Sequence, residues 1–113
     1  ILDMHAETTS EKAAMAWFLD GKISAMIGTH THVQTADERI LPQGTAFITD
    51  AGMTGSMSSV IGMQKEIVLE RFLTQMPKKF EVAAKDIAMQ GVVVSIASKT
   101  GKATAIERIN VLL

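Results

Sequence analysis

Cysteine is absent from the chain, so no disulfide can staple it. That absence suits a reducing compartment, and the expected location is cytoplasmic. A surplus of positive charge is missing too. Eleven Lys and Arg face 12 Asp and Glu, for a net charge of −1, which removes the footprint of a protein gripping long nucleic acid through many phosphates. A nucleotide-sized substrate stays compatible with that balance. Long apolar runs are lacking as well. Between Leu41 and Met63 the only formal charge is Asp50, yet Pro42, Gly44, Gly52, Gly55, Gly62 and many Ser and Thr residues break the stretch. No membrane-spanning helix is expected there. Internal repeats and low-complexity tracts are also missing. What is present is a globular balance of 47% hydrophobic and 20% charged residues. At 113 residues roughly two-thirds of the unfolded surface can be buried, so a core without staples is feasible.

Local patterns set the expected elements. Leu2 and Met4 alternate with Asp3 and His5, which predicts a short strand with two polar groups on one face. The opening Ile1–His5 has the look of the interior of a structured element, which places a natural start upstream. Thr8 followed by Glu11 matches a capping box, and a helix from about Thr9 to Leu19 follows. Its unbroken apolar residues from Ala13 to Leu19, Trp17 included, predict a helix wedged against a sheet. Ile23 to Gly28 and Thr45 to Thr49 are short apolar runs of the kind covered on both faces in α/β layers. Leu69, Phe72, Leu73 and Met76, spaced i, i+3, i+4, i+7, predict an amphipathic helix from about Gln64 to Gln75. Val92–Ala97 and Ala103–Val111 predict a hairpin across Ser98-Lys99-Thr100-Gly101, with Gly101 at positive φ. The eight methionines are expected as core filler. The whole predicts an α/β fold with a mixed sheet layered with helices.

All three histidines fall at expected strand ends: His5 after the first strand, His30 and His32 after the second. In extended backbone, residues i and i+2 point to one side, so His30 and His32 would face one pocket. Neutral imidazole is the commonest protein ligand for transition metals, and strand ends converge on the crevice where open α/β sheets bind ligands. A His-x-His pair by itself is equally compatible with histidines satisfied by hydrogen bonds. Three imidazoles suit one zinc-like ion with an open position or half of a two-metal site. Asp3 is a candidate to accept a ligand histidine's spare N–H, or else a solvated strand-end carboxylate. Glu7 and Glu11 fit the start of a helix. Asp37 fits a surface turn or the site, and the glycines around Gly52 fit a turn-rich loop.

Three segments carry a specific resemblance: Asp3-Met4-His5-Ala6-Glu7-Thr8-Thr9-Ser10-Glu11-Lys12, Gly28-Thr29-His30-Thr31-His32-Val33-Gln34-Thr35-Ala36-Asp37 and Thr49-Asp50-Ala51-Gly52-Met53-Thr54-Gly55. Together they resemble the calcineurin-like metallophosphoesterases of the bacterial YmdB type. The resemblance implies a phosphodiesterase that opens 2′,3′-cyclic nucleotides at the bond to the 2′ oxygen, on a four-layer α/β/β/α sandwich. It implies two divalent metal ions, iron, manganese or similar, with His5 and His30 on one and His32 on the other. By the same resemblance residues 1–113 are the carboxyl-terminal portion of a single domain. The family's early Asp, bridging Glu, Asn and leaving-group His have no matching position, so no catalytic acid is expected within this chain. A small cyclic nucleotide is then the expected partner, without membrane or long nucleic acid. The second reading is an interaction or assembly module, since half a sandwich would expose apolar sheet surface and a homo-oligomer would cover it.

Overall fold

The alternation at the start of the chain does what its period dictates: Leu2 and Met4 are half-buried, Asp3 and His5 exposed. The structure is a computed structural model that describes residues 1–113. Its elements are β1 (Leu2–His5), α1 (Thr9–Leu19), β2 (Ala25–Thr29), β3 (Arg39–Ile40), β4 (Ala46–Ile48), β5 (Gly55–Ser56), α2 (Lys65–Thr74), β6 (Ile87–Ile96) and β7 (Ala103–Leu112). The protein is therefore mixed α/β. One sheet has the order β1-β2-β4-β3, the other β5-β6-β7. In the first, β1, β2 and β4 are parallel and β3 runs antiparallel to β4. The second is antiparallel, dominated by the β6–β7 hairpin, and Gly101 takes φ 72° in its turn.

Two clusters show how the layers stack. Met26 and Phe47, opposite each other in β2 and β4, pack with Ala16 of α1 and Leu41. Their neighbours Ala25 and Ala46 point the other way, onto Ala103 of the hairpin, with Ile27, Val94 and Ile106 around them. Large residues on one face and alanines on the other follow from the period of two. The order of layers is α1, first sheet, second sheet, and the alanine seam lets the two sheets approach closely.

Several expectations are corrected. The Thr8 side chain makes no cap hydrogen bond, so the capping box does not form. Trp17 is 53% exposed and Phe18 67%. Only Lys12 and Ala16 of α1 are buried, because one stripe of a helix meets a sheet and the remaining faces need a second surface. The apolar stripe of α2 is likewise open: Phe72 is 75% exposed and Leu73 84%, while Val68 alone is buried. Among the methionines only Met26 is buried, and Met15, Met57, Met76 and Met89 are exposed. β3 and β5, two residues each, were too short to leave a periodic signal. No helix is long and apolar enough to cross a membrane.

Candidate metal centre at the strand ends

Parallel register builds the site. His5 lies opposite Thr29 at the carboxyl ends of β1 and β2, which brings the last residue of one strand beside the chain leading to His30. Asp3, His5 and Thr29 then join in a hydrogen-bonded row. The Thr29 hydroxyl donates to Asp3 Oδ1 at 2.8 Å, and His5 Nδ1 stands 3.2 Å from the same hydroxyl oxygen. With the Thr29 proton committed to a carboxylate, that oxygen accepts from His5 Nδ1–H. Consequently His5 Nε2 presents its lone pair outward. Asp3 thus acts on His5 through Thr29, not directly.

His30 Nδ1 meets that nitrogen, 3.0 Å from His5 Nε2, with the rings edge-on at 80° and centroids 4.8 Å apart. Two nitrogens each about 2.1 Å from one ion and about 90° apart would stand about 3.0 Å from each other. The spacing therefore fits adjacent ligands of a single ion, both of them exposed at the surface. Two ligands do not complete a site, and no group of three His, Asp or Glu converges anywhere in the structure.

His32 has a different partner from this pair. β2 ends at Thr29, and His30 and His32 take φ of 114° and 64°. The same-side rule for extended backbone therefore does not reach them, and the direction of each ring is set by its own hydrogen-bond partner. His32 Nδ1 donates to the Ile61 carbonyl at 3.0 Å. Its Nε2 is thereby left to face outward as a second, separate donor. Positive φ at residues other than glycine costs of order 1–3 kcal/mol each and persists where the surroundings impose it.

Beneath the loop lies a buried ion pair that sequence reasoning missed. Lys12 and Asp50 are both fully buried, with Nζ 3.3 Å from Asp50 Oδ2. Lys12 also donates to the Thr29 carbonyl at 3.2 Å. Asp50 accepts the Thr31 N–H at 2.9 Å on Oδ2 and the Gly52 N–H at 2.9 Å on Oδ1. Burial pushes the Asp50 carboxyl up, but the N–H groups of Gly52 and Thr31, together with Lys12, outweigh it and hold it below the usual aspartate range. A signal for the pair existed. Lys12 shares the sheet-facing stripe with Ala16, four residues on, and Asp50 is the lone charge directly after a buried strand.

The rest of the loop is fixed by side-chain amides and carboxylates. Gln34 Nε2 reaches the carbonyls of Gly91 (2.9 Å), Ile109 (3.0 Å) and Ala51 (3.3 Å), which ties the histidine loop to the second sheet. Asp37 accepts the Thr49 N–H at 3.2 Å as well as the Thr49 hydroxyl. Asp37 is therefore a fastener of the β4 end, and nothing directs it at the histidines.

A mixed α/β sheet that gathers two histidines at the carboxyl ends of neighbouring parallel strands defines the protein's class. The chain belongs to the YmdB-like family, whose model matches residues 1–109. It is 55% identical over 108 residues to a Bacillus subtilis protein named 2′,3′-cyclic-nucleotide 2′-phosphodiesterase, an alignment that takes in 96% of this chain and 41% of that one. Two crystal structures are similar. A hypothetical protein from Thermus thermophilus matches with a TM-score of 0.91 at 43% identity, over 97% of this chain and 43% of that one. A phosphatase from Mycoplasma pneumoniae matches with a TM-score of 0.93 at 42% identity, over 99% of this chain and 40% of that one. The chain spans about two-fifths of the length of these relatives.

Proposed function

We propose that the full-length protein carrying this chain is a metal-dependent phosphodiesterase that opens 2′,3′-cyclic nucleotides to 3′-phosphonucleotides in the cytoplasm, with two divalent ions at its centre. The observation that carries the proposal is the 3.0 Å contact between His5 Nε2 and His30 Nδ1, in a chain 55% identical to a protein named for that reaction. His5 and His30 would hold one ion and His32 the other, with the remaining ligands and the leaving-group acid supplied from outside residues 1–113. The four-layer sandwich would be completed the same way. Bound iron, manganese or a similar divalent ion would neutralise phosphate charge and supply hydroxide near neutral pH.

This chain's own contribution is orientation. Asp3 and Thr29 fix the tautomer of His5, the Ile61 carbonyl fixes that of His32, and the loop from Thr29 to Gln34 holds both at the strand ends. A second reading, an assembly module that forms a homo-oligomer, rests on the open apolar stripe of α2.

The test is metal content per chain of the full-length protein together with 3′-phosphonucleotide release, repeated with His5→Ala and His32→Ala. About two ions per chain, with each substitution lowering both metal content and rate, is the expected result. Metal-free protein that stays inactive after manganese or iron is added back refutes it and favours assembly.

A further inference from the structure

Lys12 is the one lysine of the chain with no exposure, and the histidine reading gives it no role. Its ammonium reaches two groups, the Asp50 carboxylate at 3.3 Å and the Thr29 carbonyl at 3.2 Å. Asp50 in turn takes the Thr31 N–H at 2.9 Å. Thr29 and Thr31 are the residues on either side of His30, so the pair grips both peptide units that flank it. Between the two grips His30 sits at φ 114°, a conformation that a side chain rarely adopts without imposed constraint. Gly28 makes room for this arrangement. A Cβ there would meet Lys12 Cδ at 2.9 Å.

We infer that the buried Lys12–Asp50 pair is a positioning device that clamps the peptides before and after His30 and so holds its Nδ1 against His5 Nε2. The inference rests on the proposed role of His5 and His30 as ligands of one ion. A buried pair of charges is a poor source of stability compared with apolar residues of the same volume, so its presence under an exposed histidine loop calls for a different benefit. Fixing two backbone hydrogen-bonding groups at once supplies one, because neither an alkyl chain nor a lone carboxylate can hold both a carbonyl and an N–H.

The two charges hold opposite sides of His30. Lys12 holds only the carbonyl that precedes His30, whereas Asp50 holds the N–H of the residue between His30 and His32. His32 has its own anchor in the Ile61 carbonyl. Loss of Lys12 should therefore release His30 and leave His32 in place.

The experiment uses full-length protein in wild-type form, as Lys12→Met, and as the neutral double variant Lys12→Met/Asp50→Asn. The double variant leaves no uncompensated buried charge and keeps an amide oxygen for the Thr31 N–H, so it keeps the test open if the single variant fails to fold. Two readouts are taken: imidazole nitrogen–proton NMR spectra of the metal-free protein, and affinity for manganese by calorimetry. Expected are loss of the His5–His30 inter-ring contact, an unchanged His32 ring signal, and manganese binding weakened by about 10–100-fold. A folded double variant with the His5–His30 contact and manganese affinity intact overturns the inference. So does a change in all three rings together, which would mark a merely structural pair. Wild-type protein that binds neither manganese nor iron refutes the metal reading by itself, and the inter-ring contact in the variants then decides whether the clamp exists.

Discussion

Gly28→Ala is the most demanding perturbation of this structure, and Gly91→Ala is its control. At Gly28 an added Cβ would lie 1.7 Å from the Thr49 carbonyl oxygen and 2.6 Å from its carbon, against the 3.4 Å at which ordinary contact begins. Backbone cannot swing aside as a flexible side-chain end would. β2 and the end of β4 must therefore separate by about 1.7 Å, the difference between the two oxygen distances. That movement stretches the Ala51 N–H to Gly28 carbonyl bond from 2.9 Å to beyond useful range, which costs about 1 kcal/mol. It also carries Asp50, the residue after Thr49, away from Lys12, and an opened buried pair costs about 3–5 kcal/mol. Partial relaxation leaves an expected loss of at least about 3 kcal/mol, a large share of the roughly 5–15 kcal/mol typical of a domain. Gly91, in the middle of β6, has nothing within 4 Å of the same added atom. Alanine there restricts the unfolded chain and should be neutral or stabilising by up to about 1 kcal/mol. Urea denaturation of both full-length variants checks the contrast. A Gly28→Ala protein within about 1 kcal/mol of wild type, or two variants of equal stability, would refute the close-approach argument.

Acid should weaken the protein through Asp50 and Asp37. In both, burial raises the pKa. For Asp50 the N–H groups of Gly52 and Thr31, and for Asp37 the hydroxyls of Thr35 and Thr49, more than offset it, so both lie below the usual 3.8. Their contribution is fully present above the unfolded value and lost as pH falls through the native one, so a denaturation series should be flat in this respect from about pH 7 to pH 5 and fall below about pH 4. Asp37→Asn should flatten that acid limb, and an unchanged limb would count against the assignment. Gln34→Ala removes a donor shared by three carbonyls and should cost about 1–3 kcal/mol, read by thermal unfolding. A loss no greater than that of an exposed Gln, such as Gln43→Ala, would show that the bridge between sheets contributes nothing.

How much was legible depended on whether the signal was local. β1, α1 and the hairpin follow from periods of 2 and 3.6 and from a glycine at the turn, and α1 matches its expected bounds from Thr9 to Leu19. Burial was less legible. The stripe of Leu69, Phe72 and Leu73 has the right spacing for a helix, yet spacing says which residues share a face and not what covers that face. Pairing of His5 with the chain after β2 was legible as two strand ends side by side. The non-extended backbone through His30 and His32 was not, because Thr31 between them is held by an aspartate 19 residues further along the chain.

Five residues other than glycine take positive φ: His30, His32, Ile61, Gln75 and Asp86. Gln75 has an ordinary cause, since it caps α2 in the left-handed conformation with Pro77 close behind. Asp86 belongs to a residue type that tolerates that region. The other three have no such cause and lie together: His32 donates to the Ile61 carbonyl, and His30 is two residues away. Beneath them lies the pair of fully buried opposite charges. Local preference and observed conformation therefore disagree in one place, and that place is the histidine loop. Natural sequences tolerate such conflict where a site must be held in a shape the chain would not choose alone. The conflict also explains why the loop defeats simple periodicity: its geometry comes from Lys12 and Asp50, which are distant in sequence, and not from the residues that display it.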